Sequence, residues 1–393
     1  MHLSKRVQRI KPSPTLLITA QANELKAAGK DIIGLGAGEP DFDTPAHIKS
    51  AAIEAINNGF TKYTAVDGTP ELKQAIIDKL QRDNQLSYQS EQILVSCGGK
   101  QSFFNLAQAM LDEGDEVIIP APYWVSYPDM VLLADATPVI IETSLEEHFK
   151  ITAEKLAAAI TDRTRLVVIN SPSNPSGVCY SRAELAALAA VLEKHPNIII
   201  ASDDMYEHIT WSDEPFCNIL MACPALYDRT MVLNGVSKAY SMTGWRIGYA
   251  AGPAELIKAM KKIQSQSTSN PTSISQVAAT AALNGEHHCV EVMLREFEKR
   301  HRYVVAALNA IEGIECLPSQ GAFYSFPCMK KVIERMDNVK NDVELVAFLL
   351  TEAGVALVPG SAFGSPGYMR LSFATSMENL EKAIKRIKSA LCA

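Results

Sequence analysis

Apolar runs of four or five residues recur through the middle of the chain. Each ends in small or polar residues, and most are followed by a stretch with apolar residues at helical spacing. Gln92–Ser96, Glu116–Ile119, Thr137–Ile141, Arg165–Ile169, Ile198–Ala201 and Thr230–Leu233 read as buried strands. Gln101–Leu111, Thr152–Ala159 and Ser181–Lys194 read as amphipathic helices between them, the first facing inward through Phe104, Ala107, Leu111 and their neighbours. This alternation, from Gln92 to Ala251, predicts an α/β fold: a mostly parallel, doubly wound sheet with helices on both faces. Before it come helices over Thr15–Ala28, Ala46–Asn57 (capped by Asp43 or Thr44) and Pro70 to about Asp83, with Thr69 as N-cap and Pro70 at N1. After it come a helix over Pro253–Gln264, a Ser/Thr/Asn loop at Ser265–Ser275 and one long helical region over Gln276–Ile311. Short strands follow at Ile314–Pro318, Gly321–Pro327, Gly354–Val358 and Tyr368–Ser372, and a helix over Met377–Leu391 ends the chain. The expected layout is an N-terminal arm with part of a small α+β domain (1–45), a large domain (46–290) and the rest of the small domain (291–393).

In such a sheet, ligands bind at the carboxyl ends of the strands. Five of these ends carry polar or aromatic groups: Gly99-Lys100, Tyr123-Trp124, Asn174, Asp203 with Tyr206, and Ser237-Lys238. Gly98-Gly99 between a strand and a helix makes a potential anion site from free N–H groups and the positive dipole end. The same pattern also suits an ordinary strand-to-helix turn. The segment Asn234–Tyr249 (N-G-V-S-K-A-Y-S-M-T-G-W-R-I-G-Y) places Lys238 and Arg246 among glycines and serines with no other charge between them. It fits either a structural loop with two snorkelling cations or an active site. In the second case the lysine is desolvated for nucleophilic or Schiff-base work, and the arginine holds a phosphate or carboxylate. Arg370 stands alone in the strand pattern M-R-L-S-F, where a guanidinium without an anion is costly. The glycines of G-A-G-E-P do not match a dinucleotide fingerprint: Gly34, Gly36 and Gly38 lack the third position, and Pro40 and Pro45 deny the helix start. That loop is expected to bring its backbone close to a ligand instead.

Composition narrows the classes. The 393 residues suit two domains, and 47% hydrophobic with 21% charged content is that of a globular protein. A net charge of −7 with no basic stripe excludes a nucleic-acid partner, and no apolar run approaches a membrane span. The eight cysteines show no C-x-x-C or zinc-ligand spacing, so reduced thiols, no metal and a cytoplasmic location are expected.

Taken together, S-K-A-Y-S-M-T-G-W-R-I-G-Y, N-S-P-S-N-P-S-G, D-D-M-Y, G-A-G-E-P-D-F-D-T-P and M-R-L-S-F-A resemble the class I aminotransferases of fold type I, which carry pyridoxal 5′-phosphate. Within them, K-P-S-P-T, G-G-K-Q and P-Y-W-V-S-Y look like the bacterial aspartate aminotransferase branch. The resemblance implies that Lys238 forms a Schiff base with the cofactor and shuttles the proton, and that Asp203 pairs with the pyridine nitrogen. Tyr206 and Asn174 would bind the phenolic oxygen and Trp124 would stack on the ring. Gly99, Lys100, Ser237 and Arg246 would surround the phosphate. Tyr63 would reach the phosphate of a second subunit, which implies a homodimer with shared active sites. Arg370 would grip the substrate α-carboxylate beside Gly38. Ser13, Thr15 and Lys100, helped by the partner's Ser267–Asn270 loop, would bind a second carboxylate. The ammonium of Lys100 would then face the substrate while its backbone lies near the phosphate. The family usually shows Asp-Glu-x-Tyr; this chain has Asp203-Asp204, and the offset to Tyr206 selects Asp203. The implied activity moves an amino group between aspartate or glutamate and a 2-oxo acid such as 2-oxoglutarate by a ping-pong route. Related transaminases of prephenate, aromatic amino acids or alanine are the near alternatives, and a lyase or decarboxylase on the same fold is a further one. A regulator built on this fold would need an added N-terminal DNA-binding domain, for which no room is expected.

Overall fold

A computed structural model describes residues 2–392. In chain order the N-terminal part holds α1 (Lys5–Arg9), α2 (Pro14–Ala27), β1 (Ile33–Gly34), α3 (Ala46–Asn57) and α4 (Pro70–Asn84). The central part holds β2 (Ile93–Ser96), α5 (Gly99–Met110), β3 (Glu116–Pro120), α6 (Ser126–Leu133), β4 (Thr137–Ile141), α7 (Ala153–Ala159), β5 (Thr164–Asn170), α8 (Arg182–Leu192), β6 (Ile199–Asp203), α9 (Ile219–Ala222), β7 (Thr230–Gly235) and β8 (Gly248–Ala251). Then come α10 (Ala254–Ser265), α11 (Ser273–Asn284), α12 (His288–Asn309), β9 (Tyr324–Ser325), α13 (Lys330–Arg335), α14 (Asp342–Glu352), β10 (Val355–Ala356), β11 (Val358–Pro359), β12 (Met369–Ser372) and α15 (Met377–Leu391).

Seven strands form the main sheet in the order β2-β8-β7-β6-β5-β3-β4. Only β8 runs antiparallel to its neighbours; it lies between β2 and β7. Alternate strand residues feed two separate apolar layers, as a sheet covered on both faces requires. Ile93, Ile118, Val167 and Val232 enter the layer under α4, α8 and α11. Leu94, Val117, Leu166 and Leu233 enter the layer under α5, α6 and α10. A further cluster joins Ile33 and Leu35 near the N-terminus to α12, α14, α15 and β12. β1 pairs in parallel with β10, so early and late parts of the chain share one unit.

Several local expectations change. Both aromatics of α5 pack on the sheet layer, but Phe103 is the fully buried one and Phe104 is half-buried. The expected helix over Gln276–Ile311 is two helices broken at Gly285, because α11 serves the sheet and α12 serves the smaller cluster. Ile314–Pro318 forms no strand; it makes one isolated bridge, Glu315 to Cys328. Thr44 does not cap α3: its hydroxyl donates to the Ser241 carbonyl at 2.7 Å and accepts from Trp245 at 2.9 Å. Tyr127, the last residue of P-Y-W-V-S-Y, lies in the first turn of α6 rather than in the strand-end loop of Tyr123 and Trp124. All eight cysteines are unpaired, and among the described residues no helix is long and apolar enough to cross a membrane.

Because α5 presents Phe103 to the sheet, Phe103→Ala is expected to cost about 3–5 kcal/mol in urea denaturation. Phe104→Ala should cost less than half as much; equal losses would contradict the facing described.

Candidate active site

A cavity of about 430 Å³ opens where β2, β5, β6 and β7 end, roofed by α2 and by the loop Gly36–Glu39. Each strand delivers one group to it. β6 ends in Asp203, and the turn after β7 presents Lys238. The loop after β5 is pinned by Asn170: its amide donates to the Asp203 carbonyl at 3.0 Å, and its Oδ1 accepts from the Asn174 N–H at 2.8 Å. The turn after β2 leads into α5, whose first N–H groups have no intrahelical partner.

That turn is tightly made. Gly98 takes a positive φ of 89°, and a Cβ there would lie 2.4 Å from Nη2 of Arg246. Arg246 itself donates to the carbonyls of Thr243 (2.8 Å) and Cys97 (3.3 Å), so its guanidinium is held across the head of α5. Gly248 faces the same turn from β8; a Cβ on it would sit 2.2 Å from the Gly99 nitrogen. Helix start, Arg246, Ser237 and Lys100 together suit a dianion.

Lys238 lies deeper. Its Nζ donates to the Gly38 carbonyl, and the Phe323 ring lies 6.0 Å away. Burial, then the charge of Arg370, pushes its ammonium down to about 8. Asp203 accepts from the Tyr127 hydroxyl and from the Met205 N–H at 3.2 Å. Burial raises its carboxyl, and the Tyr127 hydrogen bond opposes that rise. The neighbouring Asp204 turns away from the cavity: Ser202 and Asn218 each donate to it at 2.7 Å, and burial, then the charge of Glu207, pushes it up to about 8. Of the two aspartates, Asp203 lines the cavity and Asp204 does not.

Arg370 is 2% exposed on β12. It donates to Asn174 Oδ1 at 2.9 Å and to the Gly36 carbonyl at 2.7 Å, its guanidinium sits 4.5 Å from the Tyr324 ring centroid, and its Nε is buried without a partner. Burial lowers its affinity for its proton. Among the described residues no carboxylate pairs with Asp203's neighbours Lys238 or Arg370 within 4.0 Å, nor does any group ion-pair with Asp203. Lys100 places its ammonium 5.2 Å from the Trp124 ring centroid, and burial, then Arg246, lowers it.

The cavity thus gathers Gly38, Gly99, Lys100, Trp124, Asn174, Asp203, Tyr206, Ser237, Lys238, Arg246 and Arg370. Thr15 also lines it, but Ser13 does not; the Ser13 hydroxyl lies 2.9 Å from that of Thr15. Tyr63 is not brought in: it projects 92% exposed, and a single chain gives it no site. One contributor escaped the sequence reading: Tyr324, whose hydroxyl meets that of Tyr206 at 2.9 Å, lies within the expected strand Gly321–Pro327. The available signal was a lone phenol in that buried run. Among the described residues no cluster suits a metal ion.

The donor set fits a small aromatic base that carries a phosphate and reacts with an amine. An anion cradle, a buried carboxylate suited to a protonated ring nitrogen and a lysine of lowered basicity surround one space. The lysine gives a direct check. With the ammonium near 8, roughly half of Lys238 is neutral at pH 8, against roughly 0.3% for an ordinary lysine. Trace acylation of cofactor-free protein, read by mass spectrometry, should therefore label Lys238 with a half-maximum near pH 8 while surface lysines keep gaining reactivity to higher pH. A Lys238 profile like that of the surface lysines would contradict the burial effect.

Residues 30–387 match the family described as aminotransferase class I and II. The chain is 63% identical to the aspartate/prephenate aminotransferase of Nitrosomonas europaea, over the full length of both. It superimposes on the crystal structure of the aspartate aminotransferase from Rhizobium meliloti with a TM-score of 0.96 and 50% identity, covering 100% of this chain and 99% of that one. The Thermus thermophilus aspartate aminotransferase with maleate gives a TM-score of 0.93 at 44% identity, covering 99% of this chain and 100% of that one. With its fold, its strand-end site and these relatives in agreement, the chain belongs to the class I and II aminotransferases.

Proposed function

We propose that this aminotransferase uses pyridoxal 5′-phosphate to move an amino group between L-aspartate or L-glutamate and a 2-oxo acid such as 2-oxoglutarate. The observation that carries the reading is the convergence of Lys238, Asp203, Arg370 and Lys100 on one cavity. When bound, the cofactor supplies an aldehyde carbon that joins covalently to amines and a ring that accepts the electron pair left at the substrate Cα.

The chain's residues supply the rest. The head of α5, Ser237 and Arg246 hold the phosphate. Asp203 holds the positive charge at the ring nitrogen. Asn174 spends its Oδ1 on Arg370, which leaves its amide N–H groups for the ring oxygen beside the Tyr206 hydroxyl. Trp124 covers a ring face. Arg370 receives the substrate α-carboxylate; its fork is already aligned by Asn174 and Gly36, so little side-chain entropy is lost on binding. Lys238 Nζ, of lowered basicity, would hold the proton that leaves the substrate Cα and hand it on within the cavity. Lys100, with Thr15 beside it, receives the distal carboxylate. Tyr63, exposed on the single chain, completes the phosphate site of a second copy, so the working unit is a homodimer.

A second reading is favoured by the names of the relatives, which include aspartate/prephenate aminotransferases. Prephenate also carries two carboxylates, and Arg370 with Lys100 offers two matching cations.

Purified protein should absorb as a bound pyridoxal group, and borohydride should fix that group on Lys238; fixation on another lysine would overturn the assignment. Aspartate and glutamate should each convert the bound group to its amine form in single half-reactions. Conversion by phenylalanine or alanine but not by aspartate would refute the substrate reading. Lys100→Ala should lower kcat/KM for aspartate roughly 10–100-fold, the loss of one charge-assisted hydrogen bond, and leave alanine within a few-fold.

A further inference from the structure

Tyr127 is 1% exposed and belongs to none of the steps above. Its ring packs between Phe103, with centroids 4.8 Å apart, and Trp124, with centroids 5.2 Å apart and planes at 87°. Its hydroxyl donates to Oδ2 of Asp203. A phenylalanine would fill the same apolar space, so packing accounts for the ring but not for the hydroxyl. A phenol buried here needs a partner, and Asp203 is that partner.

The effect on Asp203 follows from where the carboxylate lies. Asp203 ends a strand buried on both faces, and burial favours the neutral acid. A neutral Asp203 would leave the proton on itself and give a ring nitrogen no counter-charge. Each hydrogen bond donated to the carboxylate favours the ionised form. Within this chain Asp203 has two such donors, the Tyr127 hydroxyl and the Met205 N–H at 3.2 Å. The N–H of Met205 comes with the backbone; the phenol is the side chain set there for the purpose. Its place in the first turn of α6, three residues after Trp124, lets one side chain brace both the group under the ring nitrogen and the group over the ring face.

We propose that Tyr127 is a positioning residue for the cofactor: its hydroxyl keeps Asp203 ionised and fixed in direction, and its ring seats Trp124. The proposal rests on the reading that Asp203 pairs with the pyridine nitrogen.

The test uses holoenzyme loaded with cofactor carrying ¹⁵N in the ring. In Tyr127→Phe the ring ¹⁵N resonance should move from the protonated towards the unprotonated position, and the cofactor dissociation constant should rise roughly tenfold or more. The thermal midpoint of the cofactor-free protein should stay close to the parent value, since the ring is kept. A resonance and a dissociation constant equal to the parent's would overturn the proposal. Asp203→Asn separates the two levels. If it moves the resonance and Tyr127→Phe does not, the Tyr127 proposal alone fails; if neither moves it, the reading of Asp203 fails as well. Should Tyr127→Phe not fold, incorporation of 4-fluorophenylalanine at position 127 fills the space of the hydroxyl without donating. The resonance should then move towards the unprotonated position, and a resonance equal to the parent's would refute the proposal.

Discussion

Of the charged side chains that line the cavity, Asp203, Lys238 and Arg370 lie deepest and form no ion pair with one another. Instead they lean on neutral partners, a phenol, two backbone carbonyls and an amide. Burying charge in this way costs stability. Each of the three charges is held by neutral partners in a fixed direction, an arrangement that suits a ligand carrying both signs of charge. Much of the surrounding structure exists to hold them apart at fixed directions.

A second tier does the holding. Glu207, next in sequence to Tyr206, is 5% exposed and accepts from Asn84 at 2.9 Å and from Asn234 at 2.6 Å, with Lys79 as its charge partner. Although burial opposes it, Lys79 helps hold the Glu207 carboxyl down to about 2. This pair ties the loop after β6 to the end of β7, so the elements bearing Asp203 and Lys238 share one anchor on α4. Here a buried ion pair contributes geometry more than stability. On the other side of the cavity, the Tyr206 to Tyr324 hydroxyl contact and the Tyr324 ring under Arg370 join the large sheet to β9 and β12.

Much of this was legible in the sequence, for a physical reason. Buried parallel strands read as short apolar runs, and a polar group at such a run's end is conspicuous, as with Asp203, Asn174 and Lys238. Arg370 stood out by being charged within a strand. What stayed hidden depends on orientation. Helical phase buries Phe103 fully and Phe104 only by half, since one residue turns a helix by more than a quarter of a circle. The break at Gly285 was masked because α11 and α12 are both amphipathic but serve different cores. Tyr324 and the partner of the Tyr127 hydroxyl were hidden because a phenol shows whom it bonds, on a distant strand, only in the fold. Tyr63 and Ser13 show a further limit: one chain gives Tyr63 no neighbour to act on.

The lone antiparallel strand has a consequence for how the molecule assembles. β2 has one neighbour in the sheet, β8, which follows it about 150 residues later. The Gly98–Gly99 turn is shaped by Gly248 and Arg246 from that same late segment. A growing chain therefore carries β2 as an unpaired edge until nearly the whole sheet has been made, and loop-closure entropy makes such distant pairing slow. The turn at the head of α5 is among the last parts of the large sheet to close, so an anion would find a seat there only once the strand order is complete.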